Sequence, residues 1–317
     1  MTTQYTPTPA MEKLAKSFEG ARIGNIDSPV WLCGLEDAAE PSDGIFDEKV
    51  LDNPLQADEL DSLRCDDWKE FWKSMWSCDG AGVKTLENNF NNGMSYSPYF
   101  ELVMKVFIGF TMGEYKEEYY QALVRQADWE GLESAGILGK NGIFLLLNAF
   151  PICFAGQNNA RLAWATKGNP YKVRTKDGRL LSMSEWTGLQ SEPEYRGYVL
   201  HARSEVFDKV RKEKKPKVVL CLGVQTQHEN LWKAGDKEKH TFSTWDDPDK
   251  GHDCRCYWLD DGENKEESTL LVVSHFLSRR ALWQPERIDR LVREIRKIGQ
   301  AAGLGEDWPV KPYRIPG

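Results

Sequence analysis

The chain of 317 residues carries a formal net charge of −8 and has a pI near 5.4, which argues against a protein that coats nucleic acid through overall positive charge. Its seven cysteines are scattered and odd in number, which excludes a complete disulfide framework and favours a reduced, cytoplasmic protein. No apolar run approaches the roughly 20 residues that span a bilayer, and the N-terminus lacks the features of a signal peptide, so we expect no membrane partner.

The first predicted strand leads into an acidic loop. Residues 1–28 are expected to form a polar N-terminal arm with a short helix at about Met11–Phe18. The next segment, Pro29–Cys33, is predicted as a buried strand, and Gly34–Asp37 closes it with two carboxylates. Carboxylates in this place suit a catalytic role, although acidic residues also end strands simply because water solvates them.

The region 51–95 is predicted to be an insertion that contains an aromatic helix. Across Asp58–Cys78, tryptophan recurs at positions i, i+4 and i+8, namely Trp68, Trp72 and Trp76. We favour docking of this face on the core, and a stacking platform is the alternative. Two further helices are predicted at Pro98–Phe110 and Glu114–Gln126.

A second buried strand ends on a single amide. The five apolar residues of Ile143–Leu147 lie between Gly142 and Asn148, a pattern typical of a parallel strand buried on both faces. In open α/β sheets, ligands bind outside the carboxyl ends of the strands, so Asn148 is a candidate ligand-binding residue. The alternative is a turn asparagine that closes a core strand.

A second insertion is predicted at residues 157–197. Its glycines and prolines indicate turns and short strands. Between Gln157 and Leu180 it holds one acid, Asp177, and six basic residues that would suit phosphate contacts: Arg161, Lys167, Lys172, Arg174, Lys176 and Arg179. A solvated basic loop explains these residues equally well.

A third strand, Val218–Leu222, is predicted to end at Gly223, with a helix before it at Gly197–Lys212 and another after it that reaches Trp232. The basic run Lys209–Lys217 immediately precedes this strand, which places it at the amino edge of the sheet. We therefore interpret it as charge at a helix end, which the helix dipole favours, and not as a nucleic-acid site.

The last third of the chain contains a predicted hairpin, the fourth strand and the final helix. Cys254–Trp258 and Thr269–Val273 flank a turn, and the second of them runs into Ser274–Arg280. The final helix is predicted to begin at Pro285, and residues 304–317 form a tail whose proline-bearing part, Trp308–Gly317, is expected to lie along the surface.

One zinc-like spacing occurs in this hairpin. His252, Cys254 and Cys256 alternate along the chain, so a strand would present them on one face. No second ligand pair follows at finger-like spacing, and we therefore predict no metal.

Four predicted strands thus end in loops that carry Glu36 with Asp37, Asn148, Gly223 and His275. In a parallel sheet these loops meet at one edge and form a catalytic set. We predict a single α/β domain over residues 1–317, with a central parallel sheet of about four strands, helices on both faces and peripheral insertions.

The motifs at these strand ends resemble those of the uracil-DNA glycosylase superfamily. That family carries an acidic loop written GQDPY, a strand LLLN, a strand ending in glycine and a histidine loop written HPSPLS. The corresponding segments are GLEDA at Gly34–Ala38, LLLNA at Leu145–Ala149, VVLCLG at Val218–Gly223 and HFLSRR at His275–Arg280. Their order and spacing agree along nearly the whole chain outside the insertions. The resemblance implies the three-layer fold of that family and a DNA glycosylase.

The resemblance also implies a role for each matching residue. Glu36, with Asp37 as a competitor, would stabilise an oxocarbenium-like sugar and orient the attacking water. His275 would stabilise negative charge on the departing base, and Asn148 would bind the edge of a flipped pyrimidine. Gly34, Ala38 and Phe150 complete the implied base-binding set.

The loop after the family histidine is expected to enter the duplex. Leu277 would wedge between bases, and the arginines would contact phosphates, although simple solvation also explains them; the implied DNA-binding residues are Leu277, Ser278, Arg279 and Arg280. No obligate protein partner is indicated.

Three departures from the family pattern affect the expected substrate and geometry. Ala38 stands where the family has the tyrosine that closes the pocket beside C5 of the pyrimidine, Phe276 replaces a proline, and Glu36 replaces an aspartate. The alanine leaves room at C5, so we expect uracil or, preferably, a 5-substituted cytosine such as the glucosylated hydroxymethylcytosine of phage DNA. Such a substrate would suit defence against phage.

The expected activity is therefore that of a monofunctional DNA glycosylase that uses water, needs neither metal nor redox cofactor and leaves an abasic site. A noncatalytic DNA-binding protein on the same fold is one alternative, and a small-molecule nucleoside N-glycosidase is another. The acidic pI favours the nucleosidase, whereas the basic insertion and Arg279 with Arg280 favour DNA.

Overall fold

A computed structural model describes most of the chain outside the first predicted insertion. The described residues are 5–18, 22–34, 43–48, 51, 98–120, 144–152, 157–165, 167–245, 251–260, 262, 264–275 and 284–312. Within them the strands are β1 (Arg22–Gly24), β2 (Val30–Gly34), β3 (Ile45–Asp47), β4 (Phe144–Asn148), β5 (Lys172–Arg174), β6 (Leu180–Leu181), β7 (Val218–Gly223), β8 (Lys239–Phe242), β9 (Cys254–Trp258) and β10 (Leu270–His275). The helices are α1 (Pro9–Ala15), α2 (Pro98–Met112), α3 (Glu117–Tyr120), α4 (Gln157–Ala163), α5 (Met183–Thr187), α6 (Glu192–Lys214), α7 (Gln225–Leu231) and α8 (Pro285–Ala301).

The central sheet has seven strands in the order β1-β4-β2-β7-β10-β9-β8. Its middle four strands, β4, β2, β7 and β10, are mutually parallel, whereas β1, β9 and β8 pair antiparallel with their neighbours. A smaller sheet has the order β3-β5-β6. The prediction of a four-stranded parallel centre is confirmed, and the observed sheet extends beyond it on both sides.

The sheet is the middle layer of three. Alternate residues of each parallel strand point to opposite faces, so Val30 and Leu32 join one core cluster and Trp31 and Cys33 join the other. The first cluster contains α2 and α8, and the second contains α1, α4, α5, α6 and α7. Burial on both faces explains why these strands are continuous apolar runs.

The final helix confirms its predicted start and its predicted face. α8 begins with Pro285, and Ile288, Leu291, Val292 and Ile295 are buried on the side that faces the sheet. No helix in the described ranges is long and apolar enough to cross a membrane.

Sequence pattern does not predict the two outer strands β1 and β8, and both have a physical reason. β1 has three residues, and β8 reads KHTF with its first three residues exposed. A short or solvated edge strand lacks the apolar pattern that identifies a buried one.

The predicted surface position of Trp308–Gly317 is wrong for its described part, residues 308–312. Trp308 and Val310 are buried in the cluster that contains α8. The guanidinium of Arg296 holds the tail there, because it donates hydrogen bonds to the carbonyl oxygens of Phe110, Glu306, Trp308 and Val310. A buried arginine therefore fixes the tail, and hydrophobic periodicity cannot predict that interaction.

The two predicted outer segments also contribute more to the fold than expected. The N-terminal arm supplies α1, with Met11 and Leu14 buried, and the edge strand β1. The second insertion holds the short strands that were expected and, in addition, the helices α4 and α5, while α6 begins at Glu192 instead of Gly197. The predicted helix Asp58–Cys78 lies outside the described residues.

Candidate active site

The four parallel strands bring their predicted motif positions to one edge. Gly34 and Asn148 are register partners on β2 and β4, and His275 and Gly223 are register partners on β10 and β7. Between these pairs, Cys33 on β2 is in register with Cys221 on β7. With neighbouring strands about 4.8 Å apart, the backbones of Asn148 and His275 lie about 14 Å apart across this edge.

The backbone that follows Asn148 is held from two sides. The amide of Ala149 donates to the carbonyl oxygen of Gly34 at 2.9 Å, which continues the β2–β4 pairing into the loop. The carbonyl oxygen of Ala149 accepts from Nη1 of Arg203 at 3.2 Å, and Arg203 is fully buried. Both polar groups of Ala149 are thus satisfied, so the chain direction immediately after Asn148 is fixed.

A hydroxyl on α6 fixes the same loop further on. The amide of Ile152 donates to the hydroxyl oxygen of Tyr195 at 3.2 Å, and the Tyr195 ring stacks on Trp164 with centroids 5.0 Å apart. Phe150 lies fully buried in this loop, with the Arg196 guanidinium 4.4 Å above its ring. Because the ring is buried, its faces are not open to a ligand in this conformation. The prediction that Phe150 helps to bind a base stays a prediction, and in this conformation only its backbone could make such a contact.

Arg203 and Tyr195 were not identified from the sequence. A signal was present, because Tyr195, Val199, Arg203, Phe207 and Arg211 follow one another at four-residue spacing and all are buried on α6. Arginine on an otherwise apolar helical face indicates a buried hydrogen-bonding role, since a buried charge requires partners.

The remaining predicted site residues fall outside the described residues or only partly within them. Glu36, Asp37 and Ala38 belong to residues 35–42, and the loop Leu277, Ser278, Arg279 and Arg280 belongs to residues 276–283, both outside the described ranges. For Asn148 and His275 the structure describes the backbone, at the ends of β4 and β10. Gly34 is buried at the end of β2.

The acidic loop is anchored at both of its ends. It leaves the main sheet at Gly34 and re-enters regular structure at β3, which pairs in parallel with β5 of the second insertion. The amide of Lys172 donates to the carbonyl oxygen of Gly44 at 3.0 Å, and Phe46 packs on Tyr171. The second insertion therefore supports the chain that carries the predicted catalytic carboxylates.

The basic residues of that insertion face solvent. Arg161, Lys167, Arg174, Lys176 and Arg179 are exposed, and Lys172 is half-buried. Arg179 pairs with Asp177, with Nε and Oδ2 2.8 Å apart. By contrast, the basic run at the end of α6 lies at the amino edge, where Lys212 and Lys214 pair with Asp208 and Asp27. The amino-edge position predicted for that run is confirmed.

Directly beneath the candidate edge lies a buried cluster of two thiols and an imidazole. The sulfur atoms of Cys33 and Cys221 and a ring nitrogen of His228 all lie within 4.8 Å of one another, and all three residues are fully buried. Burial raises the pKa of Cys33, but interactions with Cys221 and His228 and nearby positive charge outweigh it and lower the pKa to about 6. Burial and the neighbouring Cys33 hold the pKa of Cys221 well above its ordinary value.

The other cysteine pair considered in the sequence lies in a different environment. Cys254 and Cys256 are buried in the core cluster that contains α2 and α8, whereas His252 is exposed. Burial raises the pKa of both thiols. These two cysteines are core residues of β9.

An open groove of about 1420 Å³ lies elsewhere on the molecule, between α3, α8 and the β8 end of the sheet. The described residues that line it include none of the predicted site residues. Among its charged side chains, Arg293 pairs with Asp289 at 2.7 Å and with Glu114, outside the groove, at 3.3 Å. The strand ends therefore remain the candidate active site, because they carry the chemically distinctive residues.

Comparison with known proteins adds no assignment, since no protein-family model, curated protein or solved structure matches the chain. The edge itself defines the available chemistry. It combines an amide-bearing strand end, a histidine-bearing strand end and, between Gly34 and β3, a loop whose four acidic residues include Glu36 and Asp37. Such a set suits hydrolysis with a carboxylate on one side of the bond and a charge-stabilising histidine on the other.

Proposed function

We propose that this chain is a DNA glycosylase that hydrolyses the N-glycosidic bond of a flipped pyrimidine nucleotide, on the fold of the uracil-DNA glycosylase superfamily. One observation carries the proposal. The four motif-bearing strands are adjacent and parallel, so that Gly34, Asn148, Gly223 and His275 end at one edge of the sheet. A chance likeness of four short motifs does not require their strands to be neighbours.

In the proposed reaction, residues at the ends of β4 and β10 have different roles. Asn148, at the end of β4, binds the polar edge of the base, since an amide offers both donors and acceptors. His275, three strands away, stabilises the negative charge that develops on the base as the bond to C1′ breaks. The separation of about 14 Å between the two backbones leaves room for side chains and a pyrimidine ring between them.

The carboxylate comes from the loop that Gly34 begins. Glu36, or its neighbour Asp37, stabilises the positive charge on the sugar and orients a water molecule for attack at C1′. The products are the free base and an abasic sugar, and the step consumes one water molecule without any change of oxidation state. Anchoring of this loop by Gly34 and by β3 supports the role, because a catalytic carboxylate must be held in place.

The preferred base is proposed to carry a substituent at C5. Ala38 occupies the position where the family has a tyrosine beside C5, and an alanine side chain leaves space for a larger group. A hydroxymethylated or glucosylated cytosine of phage DNA is the proposed substrate class.

DNA contact is proposed at the exposed basic residues of the second insertion and at the loop that contains Arg279 and Arg280. The insertion leads on from the loop after β4, and its β5 pairs with β3 at the end of the acidic loop. The basic side chains therefore belong to the structure that supports the site, while the net charge of the chain is −8. Local positive charge of this kind attracts phosphates despite an acidic pI.

A comparison of substrates tests the proposal against its two alternatives. The purified chain is incubated with double-stranded DNA, single-stranded DNA and free nucleosides, each with uracil, cytosine or a 5-substituted cytosine, and abasic sites or free bases are measured. Abasic sites in DNA support the proposal. Binding to DNA without base release would instead identify a noncatalytic DNA-binding protein, and release from nucleosides alone would identify a nucleosidase.

A further inference from the structure

The cluster of Cys33, Cys221 and His228 has the composition and geometry of a metal site, and it is separate from the proposed hydrolysis. Cys33 and Cys221 are register partners on neighbouring parallel strands, and their side chains belong to the same core cluster. Both thiols are free, and neither is accessible to solvent. Two sulfur donors are thus fixed side by side by the sheet.

The imidazole is oriented towards such a role by a backbone carbonyl. Nε2 of His228 lies 3.2 Å from the carbonyl oxygen of Leu222. A carbonyl oxygen only accepts, so Nε2 carries a hydrogen, and Nδ1 is the ring nitrogen that can offer a lone pair to a metal ion. Nδ1 is buried and has no hydrogen-bond partner. Metal-binding histidines typically donate their other ring N–H to a carbonyl in this way.

We propose that Cys33, Cys221 and His228 bind one thiophilic d10 cation, with zinc(II) as the expected ion. Zinc–sulfur bonds of about 2.3 Å and zinc–nitrogen bonds of about 2.1 Å place tetrahedral donors roughly 3.5 to 4 Å apart, whereas the donors here lie within 4.8 Å. Side-chain movements of about 1 Å therefore bring these three donors to bonding distance, and one of the four positions that are usual for structural zinc is left without a ligand from this cluster. Two thiolates and an imidazole are the ligands that such cations prefer.

Charge balance fits this burial. In the complex both sulfurs are thiolates, any proton that they held leaves to solvent, and zinc(II) supplies two positive charges, so the complex is neutral. A neutral complex is the form that a fully buried location tolerates.

The proposed ion would be a structural metal ion that cross-links the chain beneath the candidate active site. It would join β2 one residue before Gly34, β7 two residues before Gly223, and α7 through His228. Because the cluster is inaccessible, the ion would enter as the chain folds.

Metal content of the full chain tests this inference. The chain is expressed with zinc and copper in the medium, purified, and analysed by inductively coupled plasma mass spectrometry. We expect about one zinc per chain in the unchanged protein and a loss of most of it in Cys221→Ala and in His228→Leu. Cys256→Ala is the matched control, because Cys256 is another buried cysteine in a strand of the same sheet, and it should keep the metal.

A second measurement covers variants that fail to fold. The unchanged chain is unfolded with a chelator and refolded with cobalt(II), and a thiolate-to-cobalt charge-transfer band in the near ultraviolet is expected, together with a melting temperature higher by about 5 °C or more than after refolding without metal. If the chain contained about one copper per chain instead of zinc, the metal site would be supported and only the identity of its ion would change. Fewer than about 0.1 of either metal per chain and no cobalt band, or a disulfide between Cys33 and Cys221, would overturn the inference.

Discussion

Gly34 and Asn148 face each other as register partners at the ends of two parallel strands, and the next amide, that of Ala149, donates to the Gly34 carbonyl oxygen at 2.9 Å. The loop that carries the proposed catalytic carboxylates and the strand end that carries the proposed base-binding amide are therefore joined by a backbone hydrogen bond. A displacement of either one shifts the other. The pairing of β2 with β4 thus sets the relative position of the two proposed functional segments.

Arg203 is expected to act as a positioning residue for this site. Its guanidinium donates to the carbonyl oxygens of Ala149 and Ser17, and Arg203→Lys keeps the charge while losing the planar pair of donors. We expect base release to fall about tenfold or more in kcat, with little change in KM, because the loop after Asn148 loses its fixed position. Single-turnover kinetics on the best substrate measures this effect.

Arg211→Lys is the matched control for that variant. Arg211 is a buried arginine on the same helix, but its guanidinium donates to the carboxylates of Asp208 and Asp260 and not to the loop after Asn148. We expect a comparable loss of stability and unchanged base release. If both variants lost base release in proportion to their stability, the positioning role of Arg203 would be wrong.

The ion pair of Arg287 and Asp253 should be important for stability. Nη2 and Oδ2 lie 2.6 Å apart with both side chains largely buried, and Thr244 donates its amide to the same carboxylate. Asp253→Asn removes one charge of this buried pair, and we expect a loss of about 3 kcal/mol in the free energy of unfolding. Urea denaturation measures it.

The exposed pair Arg179–Asp177 provides the control for burial. Its side chains are 70% and 59% exposed, so solvent screens the interaction and Asp177→Asn should change stability far less. Equal effects in the two variants would show that burial does not strengthen the Arg287–Asp253 pair.

Stability should fall in acid partly through Asp260. Burial raises the pKa of Asp260, but the hydrogen bond and charge of Arg211 outweigh it and hold the pKa below its ordinary value. Because the folded-state pKa is depressed, the stabilisation is complete above the unfolded-state pKa of about 3.9 and is lost as the pH falls through the lower folded-state value. Asp260→Asn should therefore lose less stability than the unchanged chain between about pH 5 and about pH 3.

Urea unfolding at a series of pH values checks this difference, and the exposed Asp236→Asn controls for the change in net charge. Parallel pH profiles for the unchanged chain and Asp260→Asn would contradict the linkage.

The exposed basic residues of the second insertion are expected to bind phosphates. The triple variant Arg161→Gln, Lys167→Gln, Arg174→Gln should weaken DNA binding and make its salt dependence shallower. The slope of log K against log salt should change by about 0.9 for each phosphate that the chain no longer neutralises. Fluorescence anisotropy at several salt concentrations measures both the affinity and the slope.

A matched triple variant removes equal charge at the opposite edge of the sheet. Lys209→Gln, Lys212→Gln, Lys215→Gln changes the end of α6, where the side chains are also exposed. We expect it to leave the slope unchanged. The reverse pattern would place the DNA at the amino edge and contradict the proposed site.

Hydrophobic pattern was sufficient to predict the centre of the fold. The runs VWLCG and VVLCLG are apolar because β2 and β7 are buried on both faces, and the spacing of Ile288, Leu291, Val292 and Ile295 predicts the buried face of α8. Buried positions favour apolar residue types, so the sequence alone shows which positions of these elements are buried.

The interactions that position the site are polar and distant in sequence, so residue pattern did not reveal them. Arg203 reaches Ala149 across 54 positions, and Arg296 reaches Phe110 across 186. The cluster of Cys33, Cys221 and His228 depends on the register between β2 and β7, which becomes known only when the strand order is known. Strand order is set by the packing of the whole chain.

The most direct test of the central claim is mass spectrometry of the bases released from DNA that contains uracil or phage-modified cytosine, with the unchanged chain and the variants Glu36→Gln, Asp37→Asn and His275→Ala. We predict release of a free pyrimidine, with the 5-substituted cytosine preferred, and a loss of about 100-fold or more in the variant of the catalytic carboxylate and in His275→Ala. Release of unmodified uracil alone would contradict the proposed C5 preference. No base released from any DNA by the folded chain, or full release by all three folded variants, would contradict the proposed active site.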